Sequence, residues 1–163
     1  MKRKDKEQMI IYLDTNVYCR PFDNQAQDRI REETDAFEVI LDGVRKGWFL
    51  TLTSDVLQYE ITKILSPLKR TEVERYLVLS KKRVEEKEEI LRLGIVIRDR
   101  CGIKDRDALH LASAIAGGAT YFLTCDDEVT SATKGAGCTE KVAEEYGSGM
   151  KICNPIFFVK KEA

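Results

Sequence analysis

The chain has 163 residues, 43% of them hydrophobic and 34% charged, which fits an ordinary soluble globule long enough for one sizeable core. Its 27 Lys and Arg stand against 28 Asp and Glu, for a formal net charge of -1. That balance excludes a globally basic nucleic-acid binder, so a polyanion has to be held by a local basic patch. The charged start from Met1 to Gln8 and apolar runs of strand length point away from a signal peptide or a membrane span. The cysteines, Cys19, Cys101, Cys125, Cys138 and Cys153, are odd in number and form no Cys-x-x-Cys pair, and the one histidine is His110. This argues against a disulfide framework and a structural zinc, and for a reducing, cytoplasmic setting.

In chain order, residues 1–8 are expected as a flexible N-terminal tail, with residues 9–163 forming one domain. Ile10-Ile11-Tyr12-Leu13 reads as a strand buried on both faces, with Asp14-Thr15-Asn16 directly at its end. Cys19 to Asn24 is a loop around Pro21. From about Asp28 to Lys46, Ile30, Phe37, Ile40, Leu41 and Val44 recur at helical spacing, and Gly47 supplies a stop. Trp48 to Thr53 is a second strand, after which Ser54 or Asp55 caps a helix to about Leu65, closed by Pro67.

The charged stretch from Thr71 to Leu93 is expected to be helical, as one helix or two, with Lys81-Lys82-Arg83 on a solvated helix face. Gly94-Ile95-Val96-Ile97 reads as a third, short strand. Asp105 or Arg106 opens a helix through Ala116 with the stripe Ala108, Leu109, Ala112 and Ile115, and His110 beside that stripe is expected to be packed. Thr120 to Cys125 is the fourth strand, ending in Asp126-Asp127. A Gly-, Ser- and Thr-rich passage to about Gly149 holds one helix near Thr139 to Tyr146. Lys151-Ile152-Cys153 and Ile156 to Val159 look like terminal strand material, broken by Pro155.

Strands separated by helices of this length imply right-handed crossovers and a three-layer α/β/α domain with a mainly parallel central sheet. In such sheets functional groups collect at the carboxyl ends of the strands. Asp14 and Asp126 end two strands. Glu60 lies within the first two turns of the helix after strand two, and Asp107 lies in the first turn of the helix before strand four. Both helix starts belong to the same edge, so four carboxylates are placed to converge. Each of these acids taken singly has a plainer reading as a turn, cap or surface residue. Together they repel one another unless a cation neutralises them. Carboxylate oxygens suit Mg²⁺ or Mn²⁺, ions that can activate water and stabilise a leaving oxygen in phosphodiester cleavage.

These residues resemble the PIN-domain family, metal-dependent nucleases that include the ribonuclease toxins of VapC-type toxin–antitoxin pairs. The resemblance rests on Leu13-Asp14-Thr15-Asn16, Glu60 within Tyr59-Glu60-Ile61, Asp107-Ala108-Leu109-His110-Leu111-Ala112 and Leu123-Thr124-Cys125-Asp126, over roughly residues 9 to 127. It implies a five-stranded parallel sheet and a metal-binding, catalytic quartet of Asp14, Glu60, Asp107 and Asp126, with Asn16 and Thr124 orienting the carboxylates. It further implies an RNA substrate, Mg²⁺ or Mn²⁺ as cofactor, a homodimer, and a small antitoxin protein as partner. Two positions depart from the pattern: Asp126-Asp127 offers two acids where one is needed, and Asp105 competes with Asp107. A non-catalytic PIN-like module that binds RNA or protein is the alternative. A phosphatase with Asp14 as nucleophile wants a second Asp two positions on, where Asn16 stands, and no phosphate-binding Gly-rich loop with Lys-Ser or Lys-Thr is present.

Overall fold

The computed structural model of the chain describes residues 8–163, so the tail expected at residues 1–8 lies, but for Gln8, outside the described residues. The elements are β1 (Met9–Leu13), α1 (Thr15–Cys19), a 3-10 turn (Arg20–Phe22), α2 (Asp28–Arg45), β2 (Phe49–Ser54), α3 (Asp55–Thr62), α4 (Pro67–Val78) and β3 (Lys82–Val84). There follow α5 (Glu88–Cys101), α6 (Asp105–Ala116), β4 (Tyr121–Leu123), α7 (Asp127–Thr130), α8 (Gly135–Glu145), β5 (Lys151–Cys153) and α9 (Pro155–Glu162).

All five strands are parallel, in the order β3-β2-β1-β4-β5. β1 takes the centre because its sequence is apolar on both faces: Ile11, Tyr12 and Leu13 are each fully buried. Alternate side chains divide the core. Ile11 and Leu13 join α1, α2, α3, α4 and α9 through Val17, Phe37, Ile40, Leu57, Val73 and Phe158. Tyr12 joins α5, α6 and α8 on the other side, through Ile97, Leu111 and Val142. Helices therefore cover both faces of the sheet, the three-layer α/β/α arrangement implied by the sequence. Burying each large apolar side chain in these layers is worth about 1.5–3 kcal/mol.

Four segments differ from the expectation. Gly94–Ile97 is not a strand but the middle of α5. Its local apolar run belongs to a longer stripe of Ile90, Leu93, Ile97 and Cys101 at helical spacing, all buried, and Gly102 ends the helix with a left-handed φ of 66°. The third strand is instead Lys82–Val84, where a solvated helix face was expected. Only Val84 of it is buried, because it is the sheet edge next to β2, and its charges discourage further strand pairing. Ile156–Val159 lies in α9: Asn154 Oδ1 accepts from the Ile156 amide at 2.9 Å, Pro155 fits the first turn, and Phe158 is fully buried.

The fourth difference concerns the cysteines. Cys101, the last residue of α5, and Cys138 on α8 form a disulfide with their Cα atoms 5.5 Å apart, because the two helices pack side by side. Cys19, Cys125 and Cys153 are free thiols. Among the described residues no helix is long and apolar enough to cross a membrane.

Candidate metal centre

Every strand of a parallel sheet delivers its carboxyl end to the same edge, and the chain spends that edge on acids. Asp14 follows β1 and caps α1. Its Oδ1 accepts from the Thr15 amide at 2.7 Å. Its Oδ2 accepts from the Thr124 hydroxyl at 2.8 Å and from Asn16 Nδ2 at 3.3 Å. Asn16 also donates to Thr124 Oγ1 at 3.1 Å and, through Oδ1, accepts from the Cys125 amide at 3.0 Å. The ends of β1 and β4 are thereby tied together beneath a carboxylate that is only 5% exposed. Asn16 and Thr124 thus sit where they fix the orientation of Asp14.

Glu60 comes from α3, which Ser54 starts by accepting from the Leu57 amide at 3.2 Å. One turn further on, the Glu60 carboxylate turns back toward β1 and accepts from the Thr15 hydroxyl at 3.2 Å. Arg106 Nη1 lies 3.9 Å from its other oxygen. Asp107 is in the first turn of α6 and half-buried; Asp126 follows β4 and accepts from the Glu128 amide at 2.9 Å to start α7. Of the competing acids, Asp127 is exposed and paired with Arg29 at 2.6 Å, and Asp105 is exposed and paired with Arg98 at 3.2 Å. Both point their charge to partners away from Asp14.

His110 is the residue whose position sequence reasoning misjudged in part. It is packed, at 1% exposure, but it is packed inside the acidic site. Its Nε2 contacts Glu60 Oε1, and its Nδ1 lies 2.7 Å from the Tyr12 hydroxyl, which lies 2.6 Å from Ser54 Oγ. With Glu60 ionised, Nε2 must donate. In the neutral ring Nδ1 then accepts from Tyr12, Tyr12 accepts from Ser54, and Ser54 accepts from the Leu57 amide. The signal was present: His110 is three residues after Asp107 and so lies on the same helical face. Tyr12 and Ser54, one on a core strand and one a helix cap, carried no signal of their own.

Among the described residues, Asp14, Glu60 and His110 form the tight group, each offering one ligand atom within 4.8 Å of the others. Asp107 and Asp126 stand outside that group but within electrostatic reach of it. Burial, then the charges of Asp14 and Asp126, push the Asp107 carboxyl up to about 6. Burial also raises Asp14, partly offset by His110 and by the hydrogen bonds from Thr124 and the Thr15 amide. Burial works against ionising Glu60, but His110, Thr15 and Arg106 outweigh it and its pKa is lowered. The edge is therefore rich in oxygen donors and short of positive charge around Asp14, Asp107 and Asp126. Such a donor set fits a hard divalent cation.

Residues 11–135 match the sequence profile of the PIN domain. Among solved structures, the fold is similar to a chain of the VapBC2 complex of Rickettsia felis, determined bound to a DNA fragment from their promoter. The TM-score is 0.51 at 15% identity, covering 88% of this chain and 98% of that one. A comparison with curated protein sequences finds no significant match. A profile match over most of the length, on a chain with this sheet and this acidic edge, is decisive: the protein belongs to the PIN-domain family.

Proposed function

We propose that the protein is a divalent-metal-dependent endoribonuclease that hydrolyses phosphodiester bonds of RNA, and that it acts in the cytoplasm as the toxin of a toxin–antitoxin pair. PIN domains are generally nucleases, and the observation that carries the reading is the uncompensated acidic edge. Asp14 and Asp126 raise the cost of ionising Asp107, and among the described residues no lysine or arginine forms an ion pair with any of the three. Asp14, Glu60, Asp107 and Asp126 would hold Mg²⁺ or Mn²⁺, with Asn16 and Thr124 fixing the first of them. A divalent ion at such carboxylates supplies an activated water and stabilises the developing charge of phosphodiester hydrolysis. The chain's own part is to keep each carboxylate oxygen aimed: Thr15, Asn16 and Thr124 hold Asp14, and His110 holds Glu60, so no reorientation is needed as charge develops.

The toxin reading is supported by the likeness to a chain of the VapBC2 complex. Leu65 and Leu68, at 95% and 85% exposure around the start of α4, offer apolar surface for a small antitoxin protein or a second copy in a homodimer. The test is cleavage of labelled single-stranded RNA with Mn²⁺ or Mg²⁺. Cleavage is expected, and it is expected to vanish with EDTA and in Asp14→Asn. Cleavage that survives both treatments would overturn the metal-centre reading. A protein that binds RNA but never cuts it would instead be a non-catalytic PIN-like module.

A further inference from the structure

Beside the carboxylates, toward the carboxyl ends of β2 and β3, the surface opens into a cleft of about 470 Å³. That is within the roughly 300–1,000 Å³ of small-ligand sites. Val56 and Leu109 give it apolar lining, and Tyr59 and Arg106 stand in its wall. Tyr59 and Arg106 immediately precede Glu60 and Asp107, so the cleft adjoins the acidic site along two helices at once.

Tyr59 is unlike the tyrosines of the core. Tyr12, Tyr18 and Tyr121 are buried, whereas Tyr59 is 50% exposed on a short helix that already supplies Leu57 and Ile61 to the core. Two cations lie over its ring, Lys63 Nζ at 5.0 Å and Arg106 Cζ at 5.6 Å from the centroid. Neither cation is tightly engaged. Among the described residues, the nearest acid to Arg106 is Glu60 at 3.9 Å, the outer limit of an ion pair, and 56% of the Arg106 side chain is exposed. Of the three acids that line the cleft, Asp55, Glu86 and Asp105, two are by contrast already engaged. Asp55 accepts from Arg83 Nε and from the Glu86 amide, each at 2.8 Å, and Asp105 pairs with Arg98 at 3.2 Å. Stacking on an exposed aromatic ring, with cations beside it for the backbone, is how single strands are held without reading their sequence.

We propose that this cleft seats a nucleobase adjoining the scissile phosphate of single-stranded RNA. The base stacks on Tyr59 over Val56 and Leu109, and Arg106 and Lys63 turn from the ring to the flanking phosphates. This rests on the RNA-cleaving reading of the neighbouring carboxylates. It explains how a chain of net charge -1 holds a polyanion: two cations and one ring stand where the substrate passes, and the rest of the surface need not be basic.

The experiment is fluorescence anisotropy of a labelled single-stranded RNA hexanucleotide in EDTA, with cleavage of the same RNA in Mn²⁺ measured in parallel. Tyr59→Ala should weaken binding on the order of tenfold, and Tyr59→Trp should restore it. Replacing bases one at a time by abasic residues should, at one position, weaken wild type by a similar factor and Tyr59→Ala by less than about twofold. Arg106→Ala should reduce the salt slope by about 0.7 per lost phosphate contact. In cleavage, Tyr59→Ala should raise KM and leave kcat within about twofold, since a uniformly bound group has been removed. Tyr59 is half exposed, so melting of the variant should match wild type. Wild-type affinity in Tyr59→Ala, with cleavage intact, overturns the cleft and leaves the nuclease reading standing. RNA binding that depends on Tyr59 without any cleavage by wild type keeps the cleft and overturns the nuclease reading. No RNA binding by wild type overturns both. A Tyr59→Ala effect confined to oligomeric state, with RNA binding unchanged, makes this face a protein contact and overturns the proposal.

Discussion

Two buried carboxylates, Asp14 and Glu33, lie on neighbouring parts of the fold and are treated in opposite ways. Glu33, on α2, has no exposed surface at all, and its oxygens are matched by cations and an amide: Arg20 Nε at 3.0 Å, Arg29 Nε at 3.4 Å and Asn154 Nδ2 at 2.5 Å. Arg29 continues outward to the Cys125 carbonyl at 3.1 Å and to Asp127, so this network pins the chain just before and after Asp126. Asp14 receives only neutral hydroxyl and amide donors, and its nearest cationic candidate is His110 at 4.0 Å. A compensated buried acid is a fastener, since its loss strands the charges gathered around it. An uncompensated one, next to Asp107 and Asp126, stores repulsion that an external cation can relieve. The difference in compensation, rather than burial, separates the acid that holds the fold from the acid proposed to hold the metal.

The largest effect that follows is on rate. Asp14→Asn keeps the shape and removes the charge, and its single amide oxygen can still accept either from the Thr15 amide or from Thr124 and Asn16. Cleavage of single-stranded RNA should fall by roughly a thousandfold or more, about 4 kcal/mol of barrier. The melting temperature without metal should hold or rise. If the variant instead loses stability in EDTA, Asp14 is a fastener like Glu33 and the contrast collapses. Next comes Glu33→Ala, which leaves the partly buried Arg20 and the buried Asn154 without their acid. It should cost about 3–5 kcal/mol in denaturant unfolding whether or not metal is present. A cost below about 1 kcal/mol would mean the surrounding cations reach solvent easily and never needed Glu33.

The placement of acids at this edge was legible in the sequence from their order along the chain, since each taken singly has a plainer reading. Asp14 ends a continuous apolar strand, and Asp107 opens a helix whose apolar stripe is clear from Ala108 to Ile115. The Glu33 network was not legible. It depends on Asn154, 121 residues away, and on two arginines that look like surface charges on α2 and the preceding turn. The same holds for Cys101 and Cys138, brought together only by the packing of α5 on α8. The misread strand at Gly94–Ile97 has a different cause. A short apolar run fits strand and helix equally, and only the longer stripe from Ile90 to Cys101 decides between them. β3 escaped notice because a three-residue edge strand with one buried side chain has no period to read.

A smaller effect tests the stored repulsion directly. The Asp107 carboxyl is pushed up to about 6 from an ordinary value of 3.8. At Asp107 the folded protein therefore holds a proton that the unfolded chain has released between those values, and this group's contribution to metal-free stability should fall as pH rises from about 4 to 6. After solvent screening the loss should be about 1–2 kcal/mol. Asp107→Asn should flatten that slope. Mn²⁺ should raise the melting temperature more at neutral pH than near pH 5, since it binds the ionised folded state. The same slope in EDTA for wild type and Asp107→Asn would mean that Asp107 carries no stored repulsion.

The smallest effect lies where the two kinds of region meet, at Glu60. It is the one acid of the edge with a strong internal donor, and that donor is aimed from the core by Tyr12. Tyr12→Phe removes one hydroxyl from the chain Ser54–Tyr12–His110 without opening a cavity, because the ring still stacks on Phe122 at 5.2 Å. The buried Nδ1 of His110 and the Ser54 hydroxyl each lose a partner, so stability should fall by about 1 kcal/mol. The rate should fall by more than that loss explains, about tenfold, with KM for RNA unchanged. The reason is geometric: Glu60 still sets the tautomer, but without the Tyr12 hydroxyl nothing anchors Nδ1, and the ring that donates to Glu60 is no longer fixed in one direction. Ser54→Ala should do less, because Tyr12 can still donate to His110. If Tyr12→Phe lowers stability and leaves kcat alone, the relay belongs to the core and Glu60 is held well enough by Thr15 and Arg106. Equal losses in Tyr12→Phe and Ser54→Ala would place the controlling hydrogen bond at the Ser54 end, in the cap of α3.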